Sequence, residues 1–401
     1  MPGSANPPRL AGHQPGLDGV RGLAILLVIA LHFIGDSTAT NALERIITKA
    51  ATFGLLGVDL FFVLSGFLIT GLLLDAKGKP GYFRNFYARR TLRIFPLYYA
   101  VLAVAFVVLP LVLDTLPPAL EAARPHQAWL WTYTSNFYIA AKSEWALGYL
   151  SHFWSLAIEE HFYFVWPMVV YLVPRDRLER VCLAVIAAGL ALRIGLTFWG
   201  MSELSISVLT PARVDTLCVG ALLAAVARRA EGPAPLLAKA LPVAGGLFVA
   251  IFVLSAVKAA TGIGVEVANQ VRSTLYALFF GAFTLLSLRL PGIPSRTAGL
   301  FELRPLMTVG KYAYGLYVYH AILSYQLHVM DAESLLTAAL GGHGLALVAK
   351  ATIGFGGSFL LAVVSYELFE KPFLKLKRHF ETVDAPPRPV PVAAPAVQPE
   401  R

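Results

Sequence analysis

The chain has 401 residues, 57% of them hydrophobic and only 14% charged, a balance outside the range of soluble domains of this size. Its formal net charge of +9 does not point to nucleic acid, because the Lys and Arg residues sit in short connectors between apolar runs, where they mark membrane topology. The period-two alternation of a membrane barrel is absent, which leaves an all-α, polytopic helical bundle.

About ten runs are long enough to cross roughly 30 Å of hydrocarbon as helix: 17–36, 54–74, 94–114, 152–173, 178–199, 212–228, 237–257, 272–289, 306–328 and 344–369. The first holds Arg21 and His32 and lacks a small-residue cleavage site, so it is expected to remain as a span. Residues 1–16 and 382–401 are rich in Pro and short of core-forming side chains, and disorder is expected there. Residues 17–381 form the transmembrane domain. With no soluble catalytic domain expected after the last span, the bundle itself must carry any chemistry.

Lys and Arg cluster after every even-numbered span: Lys77 to Arg93, Arg175 to Arg180, Arg228 to Lys239, Arg289 to Arg304 and Lys371 to Arg378. Both termini are therefore expected on the cytoplasmic side. The aromatic stretch Gln127 to Ala140 is too short for a confident span and is expected to be interfacial or re-entrant on the outer side. Cys182 and Cys218 lie inside spans without metal-ligand spacing, so neither a disulfide nor a metal is expected.

Arg21 and His32 stand roughly 16 Å apart along a helix but only about 20° apart around it. They share one face, which must turn toward protein or a wet cavity, because ionisable groups are expensive against lipid. Counting from span ends places His32, Asp59, Glu159 and His320 each about 8–10 Å below the outer surface of the core. Four ionisable side chains at one depth predict a site. In the run from Ser151 to Pro167, residues His152, Ser155, Glu159, Tyr163 and Trp166 recur at helical spacing, while Glu160 and His161 leave that stripe. A carboxylate beside an imidazole suits it to taking a proton from a hydroxyl.

Near the opposite end, Arg89, Arg90 and Arg93 lie within about one helical turn, with Arg21 near the same level. Guanidinium forks bind phosphate bidentately. One end thus suits a phosphorylated cofactor and the other proton transfer, with room for a long thin donor between them.

These motifs resemble a known family. LDGVRGLAILLVIALHF, GLLGVDLFFVLSGFLIT, FYARRTLRIFPLYY and HFWSLAIEEHFYFVWP match, in order and spacing, the acyltransferase-3 family of membrane O-acyltransferases; TPARVDTLCVGALLA, KYAYGLYVYH and SYELFEKPF match more weakly. The resemblance implies transfer of an acyl group, by default acetyl from acetyl-CoA, onto a hydroxyl of a carbohydrate or glycolipid at the outer face of a bacterial cytoplasmic membrane. It implies a donor site at Arg21, Arg89, Arg90, Arg93 and Ser65 and catalysis by His32, with Glu159 or Asp59 orienting it. An acceptor site would comprise Arg213, Asp215, Ser155, Tyr317 and His320. One departure is Ala313 before Tyr314, where many relatives carry Ser-Tyr. The expected partners are acyl-CoA, the acceptor, membrane lipid and a second, acyl-carrying protein, with neither nucleic acid nor metal. The competing expectation is a proton-coupled transporter, which also needs buried His, Glu and Asp; an internal repeat of the kind many transporters carry is absent.

Overall fold

A computed structural model describes residues 13–229, 231–261, 265–289 and 297–381. Of the segments expected to be disordered, 382–401 and residues 1–12 of 1–16 lie outside the described residues, while Pro15 and Gly16 already belong to the first helix. Among the described residues there is no strand, and a long helix stands over each predicted run. These are α1 (Pro15–Ala30), α2 (Leu56–Ala76), α3 (Tyr82–Ala103), α4 (Trp154–Leu172), α5 (Arg175–Phe198), α6 (Thr210–Val226), α7 (Ala234–Thr261), α8 (Val265–Leu286), α9 (Ala313–Val329) and α10 (His343–Ser365).

Among the described residues, six helical stretches are long and apolar enough to cross a membrane: Pro15–Gly35, Ala42–Ala76, Tyr82–Val112, Arg175–Phe198, Ala234–Val257 and His343–Phe380. The other long helices fall short in length or apolarity. Helices α6 and α9 have 17 residues each, and α4 carries Glu159 and Glu160. Large apolar side chains, among them Phe164, Phe198, Phe248, Phe252 and Leu360, are left on the outside of the bundle. A soluble protein would bury or replace so many, whereas hydrocarbon accepts them.

Close helix crossings set the geometry. Helix α2 packs against α6, and α1 against both α2 and the short helix Arg304–Lys311. A Cβ on Gly66 would sit 1.9 Å from the carbonyl oxygen of Leu217, and one on Gly220 would sit 1.9 Å from that of Val63. The two glycines thus let the backbones of α2 and α6 touch, and any side chain at either would force them apart. This explains the Ser65-Gly66-Phe67 run: Gly66 makes the crossing, Phe67 is buried in the core and Ser65 is left to line a cavity.

At the end that carries the Arg cluster, neighbouring helices cap each other. Lys77 donates to the Val170 and Val173 carbonyls at 2.8 and 2.6 Å, and Arg175 donates to the Leu74 carbonyl at 2.6 Å. Carbonyls that helix ends leave orphaned are thereby satisfied, and α2 is locked to α4.

At the opposite end, Gln127 to Ala140 does not cross. It forms the short helices Ala128–Trp131 and Ser135–Lys142, and eight residues of helix span only about 12 Å. Leu130, Tyr133, Tyr138 and Ile139 are buried, and Tyr98 and Tyr99 of α3 donate to the Leu130 and Trp131 carbonyls at 2.7 and 3.2 Å. The segment is a folded cap on the bundle. Elsewhere, His343 at the start of α10 bridges Glu44 (2.9 Å) and Glu333 (3.1 Å), while Lys350 bonds Glu333 (2.7 Å) and Ser37 (2.8 Å). This polar staple ties the loop after His32 to α10.

Candidate active site

The site begins at a basic mouth. Arg21 of α1, Arg89, Arg90 and Arg93 of α3, and Lys377 in the turn Leu376–Phe380 line one cavity that encloses about 530 Å³ of space including its opening, with Leu72 and Phe86. Arg21 is ion-paired with Asp18 one turn back, and Asp18 also takes a bond from His13 at 2.7 Å. Among the described residues no carboxylate lines the cavity itself. Guanidinium groups packed together with fewer acids than cations favour a bound polyanion, which relieves their mutual repulsion.

Arg21, Arg90 and Arg93 also line a second cavity, enclosing about 840 Å³ of space including its opening, that leads deeper into the bundle. Ser65 from α2, Ser155, Glu159 and Tyr163 from α4, and Tyr314 and Tyr317 from α9 form its walls. The spacing of α4 explains the polar stripe, since positions 155, 159 and 163 fall one above another at four-residue intervals. Ser65 Oγ is hydrogen-bonded to the Tyr163 hydroxyl, over whose ring the Arg90 guanidinium lies 5.5 Å from the centroid. Trp166, last in the stripe, instead donates its ring N–H to Thr70 at 2.8 Å. Glu160 and His161 leave the stripe as expected; His161 bonds Thr210 at 2.8 Å.

The inner wall of this cavity is a hydroxyl pair backed by imidazoles. Tyr317 is bonded to Ser155, and its hydroxyl donates to the His152 carbonyl at 2.9 Å. Behind it the rings step outward: Tyr317 to His320 is 5.4 Å between centroids, His320 to His152 is 5.4 Å, and His320 to His32 is 5.0 Å. His152 and His320 place Nδ1 on backbone carbonyls, Tyr149 at 2.8 Å and Tyr317 at 2.7 Å. A carbonyl only accepts, so Nδ1 carries the hydrogen and Nε2 keeps its lone pair. Both Nε2 atoms are buried without a partner among the described residues. His32 is the outermost of the three, with 30% of its side chain exposed, and its Nδ1 faces Asp36 at 3.2 Å. It lies in the π-helical turn Leu31–Gly35 that ends the first span, and Ser324 of α9 anchors its backbone carbonyl at 2.9 Å.

The structure rearranges the expected set. His32 and His320 are brought together, but Glu159 is not beside His32: it faces the large cavity with Ser65 and Tyr163. Asp59 is also elsewhere, in a buried ion pair with Arg213, whose second nitrogen donates to Ser273 at 3.0 Å. The carboxylate facing His32 is Asp36, four residues on and so one turn away. Nor do Arg213 and Asp215 form a pair of their own. Asp215 accepts from Arg193 at 2.7 Å, and Arg193 also bonds Thr274 at 2.6 Å and the Ala212 carbonyl at 2.6 Å. These two ion pairs pin α6 to α2, α5 and α8; neither Arg213 nor Asp215 lines the cavity. The reason is rotational: depth along a helix follows from residue counting, whereas the direction a side chain faces is set by packing, here by the Gly66–Gly220 crossing.

Ser155, Tyr317 and Ser65 line the cavity, and Arg89 lines the basic mouth. Residues that the sequence did not mark out for the site are Asp36, Arg193 and Lys377, whereas Tyr314, noted for the Ala313 before it, lines the deeper cavity. Asp36 carried a signal in its four-residue spacing from His32, and Arg193 in being a lone Arg within an apolar run. Lys377 was hidden in a basic connector.

A family model described as an acyltransferase domain matches residues 14–367. The peptidoglycan O-acetyltransferase OatA of Listeria monocytogenes is 27% identical over 382 residues, covering 90% of this chain and 56% of that protein. The O-acetyltransferase OatA of Staphylococcus aureus (strain NCTC 8325) is 27% identical over 396 residues, covering 90% and 57%. A putative O-acetyltransferase of S. aureus (strain MSSA476) is 26% identical over 399 residues, covering 90% and 58%. The chain spans somewhat more than half the length of these curated relatives. No solved structure matches.

Proposed function

The chain belongs to the acyltransferase-3 family, and from that premise we propose that it is a multi-pass O-acetyltransferase of a bacterial cytoplasmic membrane. It takes acetyl from acetyl-CoA at the basic mouth and delivers it to a hydroxyl of a carbohydrate or glycolipid at the other face. In this reading the bundle has ten spans, both termini are cytoplasmic, and Arg21, Arg89, Arg90 and Arg93 face the cytoplasm. The single observation that carries the proposal is the pair of cavities sharing Arg21, Arg90 and Arg93, which join a cluster of cations to a hydroxyl and carboxyl lining inside the bundle.

The donor supplies a thioester, whose carbonyl carbon is the electrophile. The mouth holds its phosphates through charge-assisted bonds, and the deeper cavity accepts a slender arm ending at Ser155 and Tyr317. Because His32 donates from Nδ1 to Asp36, its Nε2 has a lone pair for the acceptor hydroxyl. When that proton moves to Nε2, the oxygen forms the ester bond as the carbon–sulfur bond breaks, and the sulfur leaves as thiolate to be reprotonated. Tyr317, His152 and His320 stand between the cavity and His32, so transfer requires this wall to part. A covalent route through an acylated imidazole uses the same groups.

Purified protein in detergent, given acetyl-CoA and a cell-envelope glycan fraction, should release free CoA faster with the glycan than without it. Mass spectrometry of envelope glycans from a deletion strain should then lack an acetyl-sized ester. A protein that moves acceptor across vesicles but never consumes acetyl-CoA would instead be a transporter.

A further inference from the structure

Lys377 is the one cation of the C-terminal basic run that turns inward. Lys371, Lys375 and Arg378 are exposed, whereas Lys377 is half-buried and completes the lining of the basic mouth. Its position follows from the turn that carries it. In the 3₁₀ turn Leu376–Phe380, successive residues are about 120° apart. Leu376, His379 and Phe380 line a groove with Tyr87, Ala88, Thr91 and Leu92 of α3, and Arg84 lies 6.0 Å from the Phe380 ring centre. With those side chains against α3, Lys377 is left to reach past the helix edge to Arg89, Arg90 and Arg93.

The charge balance there is lopsided. Among the described residues five cations and no acid line the cavity; of the acids nearby, Asp18 is engaged by Arg21 and His13, Glu370 lies with Arg93 in a separate small cavity, bonded to Ser365 at 3.1 Å, and Glu159 shares the deeper cavity with Arg21, Arg90 and Arg93, so the cations still outnumber the acids. Placing an ammonium group among four guanidinium groups is unfavourable unless an anion shares the space.

We propose that Lys377 is a phosphate ligand at the donor mouth, and that a bound phosphorylated nucleotide holds the C-terminal turn onto α3. The inference rests on the acetyl-CoA reading and adds to it a residue and a segment beyond the family match, which ends at residue 367. A flexible lysine suits a phosphate whose position is set mainly by the arginines, because it acts as a point charge and needs no fixed fork. Anionic lipid headgroups offer the same phosphate chemistry from the inner leaflet, so the test must separate the two sources.

The full chain is placed in nanodiscs of phosphatidylcholine alone and titrated with CoA, as wild type, Lys377→Ala, Lys377→Arg and the exposed-site control Lys375→Ala. Lys377→Ala should weaken CoA binding about tenfold, Lys377→Arg should restore most of it, and Lys375→Ala should match wild type. Amide exchange over residues 371–380 should slow when CoA binds wild type and not when it is added to Lys377→Ala. Equal CoA affinity in wild type and Lys377→Ala overturns the inference while leaving the acetyl-CoA reading intact. Should phosphatidylglycerol nanodiscs protect that segment in wild type without CoA, with no effect of Lys377→Ala on CoA affinity, the ligand is a lipid headgroup and the nucleotide assignment is wrong. Wild type that binds no CoA sinks the acetyl-CoA reading, and this inference with it.

Discussion

The imidazole of His32 lies 5.0 Å from that of His320, ring centre to ring centre, which places a partly exposed imidazole against a fully buried one whose Nε2 has no partner. His320 therefore connects the partly exposed His32 to Tyr317 in the wall of the deeper cavity. The carboxylate that acts on this pair is Asp36, at 3.2 Å from His32 Nδ1.

Asp36 is a positioning residue in this account. Asp36→Asn should lower turnover by about tenfold to a hundredfold, as loss of a carboxylate behind a working imidazole commonly does, with CoA affinity unchanged. Asp36→Glu should recover part of the loss. A drop in donor affinity together with turnover would show instead that Asp36 supports the fold.

Arg90 and Arg93 line both the mouth and the deeper cavity. Each charge-assisted bond to phosphate contributes about 1.5–3 kcal/mol, so Arg90→Ala or Arg93→Ala should raise the Kd for CoA roughly ten- to hundredfold. Calorimetry at two salt concentrations should also show a weaker salt dependence than wild type. Little change in Kd for either variant would move the donor site elsewhere.

Asp59 separates a structural from a catalytic role. Asp59→Ala leaves Arg213 buried without its acid, and breaking a buried pair from one side costs about 3–5 kcal/mol. The expected outcome is a lower melting temperature in detergent and poor yield, while the fraction that folds keeps near-normal turnover. Full stability with abolished transfer would restore Asp59 to the catalytic group.

The outer staple predicts an acid response. Glu333 is opposed by partial burial, but hydrogen bonds from Lys350, Thr38 and His343 outweigh that and hold its carboxyl down at about 2. A carboxylate depressed in the folded state contributes stability that is present above its unfolded value, about 4.5, and lost as the pH falls toward 2. Melting temperature should therefore decline across that window, with a shallower slope for Glu333→Gln. Parallel profiles would show that the staple adds nothing.

Much of the fold was legible because apolar runs of span length admit few arrangements, and each of the ten predicted runs carries a helix. The basic mouth was legible as well, since Arg89, Arg90 and Arg93 fall on one turn. What the sequence hid was the rotation of each helix. Asp59, Glu159, His32 and His320 could be placed at similar depth by counting, yet Asp59 faces Arg213, Glu159 faces Ser65 and Tyr163, and only the two histidines meet. Backbone contact at Gly66 and Gly220 decides those directions, and such a crossing depends on residues about 150 positions apart. Lys377 escaped notice for a different reason: its neighbours are also basic, and only the packing of Leu376 and Phe380 sets it apart.

In the proposed reaction, donor held at the guanidinium mouth is spent through His32. Free CoA release from acetyl-CoA by purified protein, measured with envelope glycan for wild type and His32→Ala beside the Kd for CoA, tests it most directly. His32→Ala should bind CoA like wild type and lose glycan-stimulated release by about a hundredfold or more. Release by His32→Ala at the wild-type rate would contradict it.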